Sequence, residues 1–290
     1  MRWIRRRHRG LEPAQKAAKG ARTTTSSEAR GRRRAPPSPM PLLSLAIAAM
    51  VAYFAFFTMA RGQVSARFRP ALVMSSLVVG IAGYHYFRIF ESWGHAFSLQ
   101  NGAYVPTGQP FSDGYRYVDW LLTVPLLVAE LVAVLQLPKA LRGSITTRLI
   151  VATVLMLVTG YVGEVSADMG TRNIWGIVSS VPFAYILYVL FVELKRAAER
   201  ESGEVKHKLL MTQLLLLGTW GFYPITYGLP VWFGAEFLGA TGVVAIQVGY
   251  SLADITAKCG YGLMIYSIAC AKMDAEGETA TGAVVPAAAE

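Results

Sequence analysis

The chain has 290 residues, of which 53% are hydrophobic and only 16% charged, against about 25% charged in a typical soluble domain. With a mean hydropathy of +0.38, this composition excludes an ordinary water-soluble fold. The formal net charge of +10 suggests a nucleic-acid partner only until it is divided along the chain.

Residues 1–40 hold 12 of the 28 Lys and Arg, with only Glu12 and Glu28 among the acids. The remaining 250 residues carry 16 basic and 16 acidic side chains. The basic segment is rich in Pro, Ser and Arg, has no apolar periodicity, and reads as a disordered tail. A targeting segment or a misassigned start is the other reading. Without aromatic or fold context the tail gives no case for nucleic-acid binding.

After residue 40 the apolar residues come in runs of membrane-crossing length. Seven are expected, at about Pro41–Ala60, Pro70–Trp93, Tyr115–Leu137, Thr146–Val165, Asn173–Leu194, Leu209–Leu229 and Leu238–Ala271. They predict an all-α membrane protein, a single seven-helix domain over 41–272 followed by a flexible C-terminal tail, 273–290. The link after the first run holds Arg61, Arg67 and Arg69, and that after the third Lys139, Arg142 and Arg148. The link after the fifth holds Lys195, Arg196, Arg200, Lys206 and Lys208. The even-numbered links are nearly bare, with Arg172 the main exception. The positive-inside rule then puts the N-terminus outside and the C-terminus in the cytoplasm of a multi-pass cell-membrane protein; the basic tail alone argues the other way.

Ionisable residues inside a span are costly and are functional candidates by default. The third run carries Arg116, Asp119 and Glu130. Asp119 and Glu130 lie about 20° apart around a helix and roughly 16 Å apart along it. Thr123 falls between them on that face, and Arg116 one turn from Asp119. Such a stripe has the layout of a proton relay. The apolar neighbours Leu126, Leu127, Val128 and Leu131 suit a carboxyl that must stay protonated. In the seventh run Asp254 and Lys258 are i and i+4 on one face, too far from either end for the lysine to snorkel easily. They form either a buried ion pair holding helices together, or a desolvated amine that is nucleophilic toward an aldehyde. The cysteines, Cys259 and Cys270, are roughly 16 Å apart on one helix, too far for a disulfide.

The run Arg116-Tyr-Val-Asp119-Trp120-Leu-Leu-Thr123-Val-Pro125-Leu-Leu-Val-Ala-Glu130 resembles the third helix of microbial rhodopsins, nearest the proteorhodopsin and xanthorhodopsin branches. Asp254 and Lys258 resemble the family's seventh-helix pair. Trp220, Tyr223, Pro224 and Tyr227 resemble the aromatic wall of its retinal pocket, and Tyr185–Phe191 its fifth helix. The resemblance covers residues 41–272. It implies all-trans retinal bound to Lys258 as a protonated Schiff base, with Trp120 and Leu127 also against it, Leu127 as in green-absorbing members. Asp119 is implied as counterion and proton acceptor, Asp254 as the second counterion, Arg116 beneath both on the outer side, and Glu130 as the cytoplasmic proton donor. The combination Asp119, Thr123 and Glu130 resembles outward proton pumps rather than chloride or sodium pumps.

His85 resembles the histidine that hydrogen-bonds the acceptor carboxylate in these branches; a lone histidine in a helix is otherwise most often a satisfied core residue. Gly176 stands where bacteriorhodopsin has tryptophan and proteorhodopsin phenylalanine. As in xanthorhodopsin, glycine there implies a window for a hydroxylated or ketolated carotenoid antenna, or else close helix packing. Glu164 and Glu236, acids near outer ends, are candidate proton-release groups. Trp175 and the Trp232–Phe237 stretch read as interfacial anchors. The family resemblance also implies a homo-oligomer, a trimer or pentamer.

A sensory rhodopsin signalling to a partner is the nearest alternative, which Glu130 opposes. A non-photochemical seven-helix receptor or transporter would not turn coloured with retinal. An enzyme is least expected: His8, His95 and His207 lack metal-ligand spacing, and there is no nucleophile elbow or phosphate loop.

Overall fold

The computed structural model describes residues 39–100, 103–112, 114–234 and 240–283. The expected disordered tail, Glu236 and part of the Trp232–Phe237 stretch lie outside them. Nine α-helices are present among the described residues: α1 Met40–Ala60, α2 Arg69–Ala96, α3 Gly114–Val134, α4 Lys139–Glu164, α5 Met169–Arg200, α6 Gly203–Trp220, α7 Phe222–Phe233, α8 Ala240–Asp254 and α9 Tyr261–Glu276. They make seven crossings. The sixth is α6 with α7, and the seventh is α8 and α9 joined by a π-helical turn, Ile255–Gly260.

Six helical stretches among the described residues are long and apolar enough to cross a membrane. The seventh crossing is apolar too, but the π turn divides it. Helices suit a bilayer because they satisfy their own backbone groups. Their outward faces are apolar: Val181 is 69% exposed and Ile177 61%, while Arg116, Asp119, Glu130, Asp254 and Lys258 are all buried. This inverts the arrangement of a soluble protein. Consecutive helices pack in sequence, and the seventh crossing closes the bundle against α1, α2, α3 and α6.

Two breaks have identifiable causes. Pro224 has no amide hydrogen for the Trp220 carbonyl four residues back, and the sixth crossing breaks at Gly221, between α6 and α7. The π turn widens the seventh helix around Lys258, an irregularity often found at functional sites.

Helix ends differ from the expected runs. α4 begins at Lys139 rather than Thr146, and α5 continues to Arg200, because Lys, Arg, Glu and Ala favour helix where hydropathy no longer marks a span. α9 runs to Glu276, where Gly277 terminates it at φ 64°. Within the expected tail, residues 273–283 contact the bundle: Arg67 pairs with Glu276 at 2.5 Å and Glu278 at 2.6 Å, and Arg69 donates to the Ala280 carbonyl. A short antiparallel hairpin, β1 Phe97–Gln100 with β2 Ala103–Pro106, covers the link between α2 and α3. A search for long apolar runs passes over strands of four residues, although Asn101-Gly102 is a strong hairpin signal.

Candidate functional site

The third and seventh crossings bring the expected charges together. Lys258 Nζ lies 2.9 Å from Asp119 Oδ2 and 2.8 Å from Asp254 Oδ1. Arg116 pairs with Asp254 Oδ2 at 3.1 Å. Two cations thus face two anions, all four between 0% and 2% exposed. A buried charge is tolerable only when paired and hydrogen-bonded, and here the charges balance.

The two carboxylates are partnered unequally. Asp254 Oδ1 accepts from Trp120 Nε1 at 3.1 Å, Tyr223 hydroxyl at 2.5 Å and Lys258, while Oδ2 accepts from Tyr86 hydroxyl at 2.7 Å and from Arg116. Asp119 has Lys258 on Oδ2, and its buried Oδ1 has no hydrogen-bond partner among the described residues. Five donors fix Asp254 as an anion. Asp119 is the carboxylate with an oxygen to spare. Thr123, between Asp119 and Glu130 as the stripe requires, donates to the Asp119 carbonyl at 2.9 Å.

Glu130 is 0% exposed among Leu127, Val128 and Leu131. Its Oε2 accepts from the Ser75 hydroxyl at 2.9 Å, and Oε1 has no partner among the described residues. No cation pairs with it among the described residues. Among the described residues the Ser75 hydroxyl is the polar partner that faces the cost of burying a charge there.

One expectation is corrected. Among the described residues no hydrogen bond joins His85 to Asp119: its Nδ1 bonds the Ile81 carbonyl at 3.0 Å, one turn back on its own helix. That contact satisfies the ring locally and requires the hydrogen on Nδ1, which leaves Nε2 an acceptor in the neutral ring. Arg116 engages Asp254 together with Tyr86 at 2.9 Å and Gln247 at 2.6 Å.

A cavity of about 380 Å³ adjoins the cluster, lined by Lys258, Trp120, Leu127, Gly176, Trp220, Tyr223, Pro224 and Tyr227, every residue expected of the pocket wall. Such a volume, largely apolar with one reactive polar group, suits a small apolar ligand. Trp120 meets Tyr223 edge-on at 5.2 Å and Tyr250 at 5.1 Å. Retinal fits this donor set: an aromatic slot, an amine, and beside it a carboxylate with an unpartnered oxygen.

Tyr86, Gln247 and Ser75 belong to the site and were not expected. Gln247 was within reach, seven residues before Asp254 and so on the same helix face. Tyr86 and Ser75 carry no local signal that separates them from other buried polar residues of α2.

The model of the family described as bacteriorhodopsin-like protein matches residues 39–272. A green-light absorbing proteorhodopsin from Gamma-proteobacterium EBAC31A08 is 32% identical over 229 residues, 78% of this chain and 84% of that protein. Among solved structures, xanthorhodopsin, described as a light-driven ion pump with dual chromophore, is 50% identical with a TM-score of 0.76, covering 82% of this chain and 94% of that one. A thermophilic rhodopsin is 54% identical with a TM-score of 0.75 over the same shares. With the charge cluster, the aromatic cavity and the seven crossings in place, the chain belongs to the bacteriorhodopsin-like family, as a microbial rhodopsin of the proteorhodopsin and xanthorhodopsin kind.

Proposed function

We propose that this protein is a light-driven outward proton pump with all-trans retinal carried on Lys258. The observation that carries the reading is the unequal partnering of Asp119 and Asp254 around one lysine, with an isolated Glu130 further along the same helical stripe. Retinal, when bound, supplies visible absorption and a light-triggered change in how the Lys258 nitrogen holds its proton. Trp120, Leu127, Trp220, Tyr223 and Pro224 line its slot and keep water out.

The residues divide the proton work by environment. Asp119 takes the proton released at Lys258 Nζ, because Oδ1 is free to accept it. Asp254 remains the fixed anion, since protonating it would break contacts with Tyr86, Arg116, Trp120 or Tyr223. Glu130, neutral at rest, later returns a proton to the Lys258 nitrogen and is itself refilled from the side of the basic links. That side is the cytoplasm by the positive-inside rule, which makes transport outward.

A hydroxylated or ketolated carotenoid antenna against Gly176 belongs to the same reading. It is supported by the cavity reaching Gly176 beside the exposed Ile177 and Trp232. Excitation in the carotenoid band that drives no retinal response would remove it. The decisive experiment for pumping is light-induced pH change in retinal-supplied cells expressing the chain. Acidification abolished by a protonophore is expected. A pigmented suspension without pH change would favour a sensory rhodopsin, and a colourless one would undo the role given to Lys258.

A further inference from the structure

One buried ion pair lies apart from the Lys258 cluster and holds Glu164, a proton-release candidate of the sequence. Arg172, 1% exposed in the first turn of α5, donates to Glu164 Oε2 at 2.8 Å and to the Glu164 carbonyl at 2.9 Å. Glu164 ends α4, and its side chain is 7% exposed. The pair therefore ties the end of one crossing to the start of the next. A two-residue clasp could do that at the surface without the cost of burying charge, so its burial calls for a further reason.

The reason lies in what Arg172 touches besides Glu164. Its guanidinium stands 4.7 Å from the centroid of the Tyr227 ring, on α7, a cation–π contact. The Tyr227 hydroxyl donates back to the Arg172 carbonyl at 2.8 Å. The ring seats on two glycines from two helices. A Cβ on Gly176 would come within 2.6 Å of Tyr227 Cε1, and a Cβ on Gly163 would overlap the Tyr227 hydroxyl. Tyr227 and Gly176 both line the cavity that contains Lys258. Around them the surface is open: Ile177 is 61% exposed and Trp232 60%. The ring thus forms the cavity wall where the cavity nears the lipid-facing surface between α5 and α7.

We infer that Arg172 and Glu164 are positioning residues that lock Tyr227 as the side wall of the chromophore cavity, and so set how readily that cavity opens between the fifth and sixth crossings. This rests on the retinal reading above. Arg172 acts on the ring directly, through its face and its hydroxyl. Glu164 acts only through Arg172, by fixing the guanidinium. Because both anchors are charged or hydrogen-bonded and buried, weakening either lets the ring leave its glycine seat.

The test uses the full-length retinal-bound protein and its R172Q, R172K, E164Q and Y227F variants. Two rates are read: loss of visible absorbance in the dark with hydroxylamine, and regain of colour when the retinal-free protein receives all-trans retinal. Both rates are expected to rise about tenfold in R172Q and E164Q, the factor for one lost charge-assisted hydrogen bond. Y227F should fall between these and wild type, and R172K, which keeps the cation, closer to wild type. The double variant R172Q/E164Q should be no faster than R172Q, since the pair acts as a unit. K195Q, which removes an exposed pair with Glu199, should change neither rate. Coloured R172Q and E164Q proteins with wild-type rates would overturn the proposal. If those variants do not colour, a wild-type rate in Y227F overturns it instead. A wild type that stays colourless overturns the retinal reading and the clamp together, whereas a coloured wild type with unmoved variants overturns the clamp alone.

Discussion

Asp119 and Asp254 stand within 3 Å of the same amine, and the difference between them comes from their other partners. Replacing Asp119 by Asn should leave a retinal pigment of altered colour that no longer acidifies the medium in light, a loss of at least about a hundredfold. Spectra and light-induced pH recorded on one preparation decide it; undiminished acidification would remove Asp119 as acceptor. Arg116→Gln acts differently, leaving Asp254 with one cation fewer in a buried site. A stability loss of about 3–5 kcal/mol is expected, read as a lower melting temperature of the pigment. Glu130→Gln should keep the colour but slow recovery of the dark state by about a hundredfold, measured by flash spectroscopy; recovery at the wild-type rate would exclude it as donor. These residues were legible in the sequence because an ionisable group inside an apolar run is conspicuous. Tyr86 and Ser75 were not, since a hydroxyl in a helix costs little and marks nothing.

At the scale of elements, the helices follow from apolar length, and their ends from local chemistry. Asp168 caps α5: its carboxylate accepts from the Thr171 amide at 2.7 Å. Thr171, through its hydroxyl and then its backbone amide, holds the Asp168 carboxyl below the usual aspartate range. A lowered value in the folded state means stabilisation present above the ordinary aspartate value of about 3.9 and lost as pH falls below it. Asp168→Ala should therefore lower the melting temperature at neutral pH, with the gap to wild type closing below about pH 4, while Asp168→Asn keeps the cap. A pH-independent gap would show that the carboxylate charge is not involved. The break at Gly221 was readable from Pro224, and the hairpin from Asn101-Gly102. The π turn at Ile255–Gly260 was not, because no residue in Ile-Thr-Ala-Lys-Cys-Gly forbids an ordinary α-helix.

At the scale of the whole molecule, the basic links and the C-terminal segment gather at one end of the bundle. Arg67 holds Glu276 and Glu278, Gln136 donates to the Arg67 carbonyl, and Lys272 pairs with Glu201 at 2.8 Å. The odd-numbered links thus meet on one side, as alternating crossings require, and an odd number of crossings brings the C-terminal segment to that side. The family match begins at residue 39, so a chain lacking residues 1–38 is expected to give the same absorption maximum and light-induced pH change; a shifted spectrum would tie the basic segment to the chromophore site. By itself the sequence determined the number of crossings, the residues able to carry charge within them, and the lysine and carboxylates of the central cluster. Those follow from hydropathy and helical spacing, which are properties of single segments. Only the tertiary structure decided which carboxylate is saturated with donors, that His85 turns to its own backbone, and that Arg172 reaches across to Tyr227. Each depends on which side chains from different helices arrive at one point, and no periodicity within a single helix encodes that.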